Sequence, residues 1–359
     1  MISRRTMMND KIVKEQGEII RLDKCKGSYF SSFHLFGKSI QNGDPSLESP
    51  VPIVNVGDKG NIGIRIEGKN LIPESEIENA TPLFKKAFLK GYLLKAGVTY
   101  TLSTKGIVSG IYFNNVGETE KIAYEYGAKS VTYTPNVDTL TTLRIWDDGS
   151  HISDLKDYYI QLEVGDTATG YEPYKAPQNL TVQTPNGLLG IPVKSGGNYT
   201  DKNGERWVCD EVDYDQSVYI RRIGKTVVDG ENIKFTASSD GNYWNLPSKS
   251  SPGIISGGII SAFFKTGIFP ANITNQFIFV KKESISSHFA TVDELNAFCA
   301  QKNAEGTPVE FYYTANPIET PLSPEDIAAY KQLHTYAPTT TIINDGGAGM
   351  EVGYRKVRG

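Results

Sequence analysis

The sequence predicts a mainly β protein, and three observations support this class. Apolar and polar residues alternate with period two in many short segments, which is typical of strands with one buried face. Turn residues, among them 35 glycines and 18 prolines, separate these segments. Only two segments carry the signals that begin a helix. We therefore predict N-terminal attachment strands, an antiparallel β-sandwich of the jelly-roll kind, and a strand-rich α+β C-terminal domain with two short helices.

The length of 359 residues is enough for two or three domains. We expect an N-terminal attachment arm and connector over residues 1–60, the β-sandwich over residues 61–175, and the C-terminal domain over residues 176–359. The second boundary lies in the stretch GYEPYKAPQNL, whose two prolines suit an extended connector between domains.

The N-terminal arm contains one short alternating run, residues 33–36, followed by a proline-rich stretch that reaches Val54. We expect the run to be an attachment strand and the proline-rich stretch to be a connector, because prolines cannot donate the hydrogen bonds of a strand ladder. The connector then leads into the run NIGIRIEG, residues 61–68, which we predict as the first strand of the sandwich.

Alternation in the predicted sandwich assigns its side chains to two faces. The apolar residues of each run point inward, among them Tyr100, Leu102, Ile111, Phe113, Leu143, Ile145, Ile160 and Leu162. The outward set is a candidate carbohydrate-binding site that consists of Tyr112, Arg144, Trp146, Tyr159 and Gln161. Aromatic rings offer an apolar face on which a pyranose stacks, and Arg and Gln side chains supply donors for its hydroxyl groups. The alternative is that this face packs against another domain or subunit.

The C-terminal part combines strand patterns with two helix starts. NYTDKNGERWVCDEVDY predicts a hairpin that turns at Lys202 to Gly204, with Trp207 and Cys209 on one face of the return strand. Further strands are predicted in KTVVDGENIKFTAS, NQFIFVKK and PVEFYYTA, and two terminal strands around a Gly-rich hairpin turn in TTTIINDGGAGMEVGYRK. Capping signals begin helices at Thr291 and Ser323.

Composition and charge argue against several classes of function. The formal net charge of -4 leaves no excess of positive charge to neutralise phosphates, so we expect no nucleic-acid partner. No segment has the roughly 20 apolar residues that a membrane-spanning helix needs, and the first residues lack the apolar core of a signal peptide. We therefore expect no membrane association and no signal peptide. The three cysteines are widely separated and lack C-x-x-C spacing, so we expect reduced, buried thiols.

The sequence contains no recognisable set of catalytic residues. The four histidines, His34, His151, His288 and His334, lie far apart and lack metal-binding spacing. There is no phosphate-binding loop, no nucleophile elbow and no dinucleotide fingerprint. We therefore expect a protein that is not an enzyme, with no catalytic residue, no cofactor and no metal. A glycosidase stays open as an alternative, because it needs only two carboxylates at a suitable separation.

Two acidic clusters could hold calcium. One is the pair Asp147 and Asp148, and the other is the set of Asp201, Asn203 and Glu205 in the predicted hairpin turn. The second set lacks both the length of a calcium loop and its terminal bidentate glutamate. We interpret both clusters as turn formers, which is the usual role of acidic residues in turns.

Four stretches carry a resemblance to a known group of proteins. LFGKSIQNGDPSLESPVPIVNVGDKGNIGIRIEGKNLIP resembles the opening of tail and minor structural proteins of phages and prophages of Gram-positive bacteria. It departs from the pattern of that group after Pro45, where Ser46 and Leu47 replace a second proline. Three later stretches are similar to the same group in the expected order, namely QLEVGDTATGYEPYKAPQ, LTVQTPNGLLGIPV with GGNYTDKNGERWVCDEVD, and EFYYTANPIETPLSPEDIAAYKQLHTYAPTTTIINDGGAGMEVGY.

The resemblance implies a structural protein of a virion tail or tail-like particle, at the distal tail in or near the baseplate. The segment between GKNL and GYEPY resembles a carbohydrate-binding module with a jelly-roll fold. No catalytic residues accompany this group. The expected partners are other tail or baseplate proteins, the polysaccharide of the host cell surface, and further copies of the chain, with a trimer as one option.

Our leading hypothesis from the sequence is a non-enzymatic tail component that helps the particle adhere to host polysaccharide. The first alternative is a purely architectural tail or baseplate protein without a ligand, and the second is a cell-wall glycosidase. The protein would be made in the bacterial cytoplasm without a signal peptide and would then be incorporated into the particle.

Overall fold

The structure is a computed structural model that describes residues 10–79, 86–105, 108, 110–116, 121–146, 158–247, 258–264 and 277–357. It confirms the predicted mainly β class, and the described strands pair in antiparallel fashion throughout. No helix in the described ranges has the length and apolar character needed to cross a membrane.

The strands of the first half of the chain are β1 (Asp10–Gly17), β2 (Ile19–Asp23), β3 (Ser32–Phe36), β4 (Ser39–Ile40), β5 (Val54–Asn55), β6 (Gly60–Glu67), β7 (Lys86–Leu94), β8 (Tyr100–Ser103), β9 (Gly110–Asn115), β10 (Lys121–Tyr126), β11 (Ser130–Tyr133), β12 (Thr139–Trp146) and β13 (Gln161–Val164).

The strands of the second half are β14 (Gln178–Thr184), β15 (Gly190–Val193), β16 (Tyr199–Thr200), β17 (Arg206–Cys209), β18 (Glu211–Asp213), β19 (Val218–Val228), β20 (Thr236–Ala237), β21 (Tyr243–Pro247), β22 (Ile259–Ser261), β23 (Phe277–Lys281), β24 (Val309–Pro321), β25 (Thr339–Asn344) and β26 (Gly349–Val357). The helices are α1 (Glu74–Asn79), α2 (Lys282–Ile285), α3 (Val292–Ala304) and α4 (Pro324–Lys331).

Two sheets form the body sandwich, which contains both ends of the described chain. The first is the seven-stranded sheet β1-β26-β3-β18-β19-β24-β22, and the second is the four-stranded sheet β14-β6-β25-β2. Alternate residues of facing strands, for example Leu35, Ile64 and Val352, are fully buried in one apolar core between the two sheets. This arrangement follows from period-two alternation on both sides of the core.

The strand that contains residues 33–36 does not lie in a separate N-terminal arm. Strand β3, which contains residues 33–36, lies between β26 and β18 and pairs with both of them. Because both of its edges are occupied and Phe33 and Leu35 are completely buried, β3 is a central core strand. The proline-rich stretch after it is a loop whose two ends meet in the β4–β5 pair.

The run NIGIRIEG also lies in a different sheet from the predicted one. Strand β6 pairs with β14 and β25 in the body sandwich, and within the described residues it pairs with none of the strands β7 to β13. The predicted boundary after residue 60 is therefore not where the pairing changes. The chain leaves the body after β6 and returns at β14, so the segment between these strands is an insertion.

The inserted segment forms its own sandwich, which we call the insert sandwich. Its sheets are β10-β9-β12-β7 and β11-β8-β13. The predicted inward set is confirmed, because these side chains form one buried core: Tyr100, Leu102, Ile111, Phe113, Leu143, Ile145, Ile160 and Leu162.

The C-terminal lobe is built on the far end of the seven-stranded sheet. Strands β19, β24 and β22 pack against the small sheet β20-β21-β23 and helix α3 around a core rich in phenylalanine. Both predicted helix starts are confirmed. Thr291 forms a capping box with Glu294, and the Ser323 hydroxyl accepts the backbone N–H of Asp326.

The Gly-rich segment near the C-terminus is not a hairpin turn. Strand β25 belongs to the four-stranded sheet and β26 to the seven-stranded sheet, so the segment between them carries the chain from one layer to the other. Ile342 and Met350 consequently contribute to the same core from different sheets. The predicted hairpin at residues 202–204, by contrast, is confirmed by the pairing of β16 with β17.

One buried carboxylate connects the seven-stranded sheet with the small sheet β15-β17-β16. Asp210 follows β17, and its Oδ1 accepts the backbone N–H groups of Arg222 at 2.7 Å and Ile223 at 2.9 Å. These N–H groups lie at the register shift of β19, where the ladder with β24 is interrupted. Oδ2 accepts the Tyr219 hydroxyl at 3.2 Å and the Leu189 N–H at 3.4 Å. Burial raises the pKa of Asp210 to about 6, while these N–H donors oppose the shift.

We expect Asp210→Asn to lower the free energy of unfolding by about 3 kcal/mol. In either orientation of the asparagine side chain, its NH₂ group would point at a backbone N–H group, so that two donors face each other without an acceptor. Urea denaturation followed by tryptophan fluorescence measures the loss. The control is Asp58→Asn, an exposed turn position, which should change the stability by less than about 0.5 kcal/mol. Equal stability of the two variants would contradict the role assigned to Asp210.

Candidate ligand-binding site

Three of the five predicted site residues lie together on the outer face of the insert sandwich. Arg144 on β12 is directly opposite Tyr112 on β9, and its guanidinium carbon lies 5.9 Å from the Tyr112 ring centre. Trp146, opposite Gly110, is half-buried. Tyr112 is only 5% exposed, so its ring offers little surface on which a sugar could stack.

Gln161 does not lie beside Tyr112 and Arg144, and its side chain forms hydrogen bonds that support the fold. It is 1% exposed, its amide nitrogen donates to Glu163 Oε1 at 2.8 Å, and its amide oxygen accepts the N–H of Glu172 at 2.9 Å. These contacts hold the connector that returns from the insert sandwich to the body. Gln161 therefore anchors the insert and does not extend the Tyr112 and Arg144 face.

Tyr159 is the most exposed of the five, with 46% of its surface accessible. It lies just before β13 with a φ of 49°, which takes it out of the strand alternation. Its ring meets Tyr171 edge to face at 5.1 Å, and the Lys105 ammonium lies 5.1 Å from its centre. The prediction of one shared face is thus wrong, because β12 and β13 belong to opposite sheets whose outer faces point in opposite directions.

A network of buried polar groups fixes the insert sandwich on the body. Arg21 of β2 forms a salt bridge with the fully buried Glu163 of β13 at 3.0 Å and donates to the Val164 carbonyl at 2.7 Å. Asn70, just after β6, accepts the N–H groups of Ile72 and Leu162 through its side-chain oxygen. Because these groups are buried and mutually paired, the two sandwiches have a defined relative position.

The junction leaves a cleft of about 640 Å³ between the body and the insert sandwich. One wall is the outer face of the body sheet, where alternation on β6 places Arg65 and Glu67 opposite to the buried isoleucines. The other wall is residues 91–95, from the end of β7 into the following turn, including Tyr92 and the 55%-exposed Leu93. Its size and its mixture of apolar walls with a few polar groups are typical of a small-ligand site.

The polar centre of the cleft is an ion pair. Arg65 Nε lies 2.8 Å from Glu67 Oε1. Burial raises the pKa of Tyr100 and of Tyr174, which also line the cleft, and to a lesser extent the Glu67 charge raises these pKa values while the Arg65 charge lowers them. Burial raises the pKa of Glu67, and the nearby Arg65 guanidinium partly offsets this shift. Alternation alone predicts that Arg65 and Glu67 share the outer face of a strand, but nothing in the sequence indicates that β7 lies opposite to them.

A second polar cluster, not predicted from the sequence, surrounds His34. Its Nδ1 lies 2.9 Å from Glu211 Oε1 and its Nε2 lies 3.2 Å from Asp215 Oδ2. The Glu211 carboxylate also accepts Arg222 at 2.7 Å. Among the described residues, His34, Glu211 and Asp213 are the group that could hold a metal ion, with ligand atoms within 4.8 Å of one another. Since each of them already has a hydrogen-bond partner, we interpret the cluster as an ion-pair network.

The predicted turn role of Asp201 agrees with its contacts. Its Oδ1 accepts the backbone N–H groups of Asn203 at 2.9 Å and Glu205 at 3.0 Å, so this carboxylate organises the hairpin turn. The other calcium candidate, Asp147 with Asp148, lies outside the described residues, as does His151.

All three cysteines are free and buried, as the sequence predicts. Burial raises the pKa of Cys25 to about 11 and that of Cys299 to about 12, so both thiols stay protonated near neutral pH.

Comparison with known proteins adds no identification. No protein-family model, no curated protein and no solved structure matches the chain.

We expect the stability of the protein to fall as the pH rises above the ordinary histidine range. The hydrogen bond to Glu211, followed by the charges of Asp213 and Asp215, raises the pKa of His34 despite its burial. Protonated His34 therefore stabilises the fold fully below its unfolded pKa of about 6.5, and this contribution is lost as the pH passes the higher folded pKa.

The measurement is the free energy of unfolding at pH 6 and pH 9 for the wild type, His34→Gln and the control His334→Gln. His334 is exposed, so its replacement should leave the pH dependence unchanged. A wild-type pH dependence that persists in His34→Gln would show that other groups cause it.

Proposed function

We propose that the protein is a non-enzymatic structural component of a phage tail or tail-like particle, located at the distal tail or baseplate. Its role would be to help the particle adhere to polysaccharide on the host cell surface. The observation that carries the proposal is the cleft between the insert sandwich and the body. It combines aromatic and aliphatic walls with an Arg65–Glu67 pair, which is the chemistry that a polyhydroxylated ligand requires.

The position of the resembling stretches supports a tail role. They fall mainly on the strands of the body and of the C-terminal lobe, from β3 to β6, from β14 to β18 and from β24 to β26. Strands β7 to β12 of the insert sandwich lie between the first and second stretches, and the second stretch begins with β13, the last strand of the insert. A body that joins the particle and an insert that completes a ligand cleft would divide attachment and recognition between two parts of one chain.

Assembly would strengthen adhesion. Further copies of the chain and other baseplate proteins are the proposed partners, and a trimer is one possible arrangement. Many weak sites on one particle raise the overall avidity without any new contact, provided that they can engage the surface together.

A cell-wall glycosidase is the second candidate, because three carboxylates, Glu67, Glu76 and Asp345, line the same cleft. Glu67 is engaged by Arg65, and Asp345 Oδ1 accepts the backbone N–H of Gly63 at 2.7 Å. Release of reducing ends from purified cell walls, abolished by Glu67→Gln, would favour this activity over simple binding.

We expect the purified chain, presented multivalently on beads, to bind cell walls of some Gram-positive strains and not others. Leu93→Asp should lower this binding at least about tenfold, because it places an unpaired charge at the apolar rim of the cleft. Co-sedimentation with the walls measures the bound fraction.

Two further variants make the result specific. Ile318→Asp changes an exposed apolar residue on β24 that is not part of the cleft lining, and this variant should bind like the wild type. Trp146→Ala tests the sequence-predicted aromatic set, and a loss of binding in this variant alone would move the site to the outer face of β12. Absence of wall binding by the wild type would leave the architectural role.

A further inference from the structure

Glu67 lines the cleft, and its carboxylate has an acceptor that no described residue uses. Glu67 is 2% exposed, and its Oε1 lies 2.8 Å from Arg65 Nε. Its Oε2 is buried without a hydrogen-bond partner among the residues that the structure describes. An unsatisfied buried acceptor destabilises the free protein, and it does so more strongly when it is charged. A ligand that donates a hydrogen bond to Oε2 would remove this destabilisation, so the free protein is arranged to favour such a ligand.

Tyr92 supplies a second group of the same kind on the opposite wall. Its hydroxyl is buried and also lacks a partner within the described part of the chain. Strand β7 pairs only with β12 among the described strands, so it is an edge strand, and its last residues line the cleft. Backbone N–H and C=O groups on an unpaired edge add both donors and acceptors.

The charges of the cleft disfavour an anionic ligand. The two cations in its lining, Arg65 and Lys95, already have carboxylate partners, since Lys95 lies 2.8 Å from Asp138. Glu76 and Asp345 add two further negative charges to the lining. A phosphate or carboxylate group entering the cleft would therefore meet net repulsion.

We propose that the cleft binds a neutral saccharide through a pair of adjacent hydroxyl groups. One hydroxyl donates to Glu67 Oε2, its neighbour accepts from the half-exposed Arg65, and a further hydroxyl of the sugar bonds to the Tyr92 hydroxyl. Leu71, Leu93 and Pro177 offer apolar surface to the C–H groups of the ring. This inference rests on the saccharide-binding role proposed above and names the class of glycan.

The test is titration calorimetry of the full chain with neutral and acidic probes. The neutral probes are trisaccharides of glucose, galactose, rhamnose and N-acetylglucosamine, and the acidic probes are trigalacturonic acid and glycerol 3-phosphate. At least one neutral probe should bind, and no acidic probe should bind more tightly. Glu67→Gln should weaken the neutral interaction about tenfold, because it replaces the charged acceptor by a donor.

Two variants separate binding from folding. Tyr92→Phe removes a buried hydroxyl that has no partner among the described residues, so we expect weaker binding of the saccharide with an unchanged or higher melting temperature. Glu310→Gln is the matched control, because Glu310 also lies 2.8 Å from a cation on a strand but is not part of the cleft lining. It should bind the saccharide like the wild type.

Tighter binding of an acidic probe, or wild-type affinity in Glu67→Gln, would overturn the neutral-saccharide inference. If cell walls still bound to the wild type and not to Leu93→Asp, the proposed adhesion function would survive that result. If the wild type bound neither cell walls nor any neutral probe at millimolar concentrations, both the inference and the proposed function would be overturned.

Discussion

The buried carboxylate of Asp210 is the contact on which the arrangement of the sheets depends. Strand β19 must interrupt its ladder with β24 at Arg222, and an interrupted ladder leaves N–H groups without partners inside the protein. Asp210 accepts two of these N–H groups and also a donor from the segment before β15. The irregular strand can therefore stay continuous, so that one sheet serves both the body sandwich and the C-terminal lobe.

Buried polar groups attach the insert sandwich to this frame. Glu163, Gln161 and Asn70 all direct their side chains into the junction, where each one finds several partners. Hydrogen-bonded networks of this kind specify one geometry, because a shift would leave buried groups unpaired. The cleft beside the junction accordingly has a defined shape, and a preformed cleft lowers the conformational entropy that the binding of any ligand would cost.

Period-two alternation made much of the fold predictable, since it assigned Ile111, Phe113 and Leu143 correctly to a buried face. Capping signals placed the helix after Thr291 for the same local reason. Alternation contains no information on which strands are neighbours. For that reason the predictions assigned β6 and β3 to the wrong neighbours and described the β25–β26 crossing as a hairpin. They also grouped Tyr159 with residues of the opposite sheet. The cleft and the His34 cluster depend on such long-range pairings, so they could not be predicted.

The insertion point has an evolutionary consequence. Strands β6 and β14 are paired, with Ile66 opposite Gln178, so the insert sandwich leaves and re-enters the body at neighbouring positions. Domains whose ends lie this close can be exchanged for others without disturbing the host fold. One wall of the cleft would change with such an exchange, while the wall that contains Arg65 and Glu67 would remain. If the cleft binds saccharides as proposed, recombination at a single pair of strands would produce new specificities around a constant half-site.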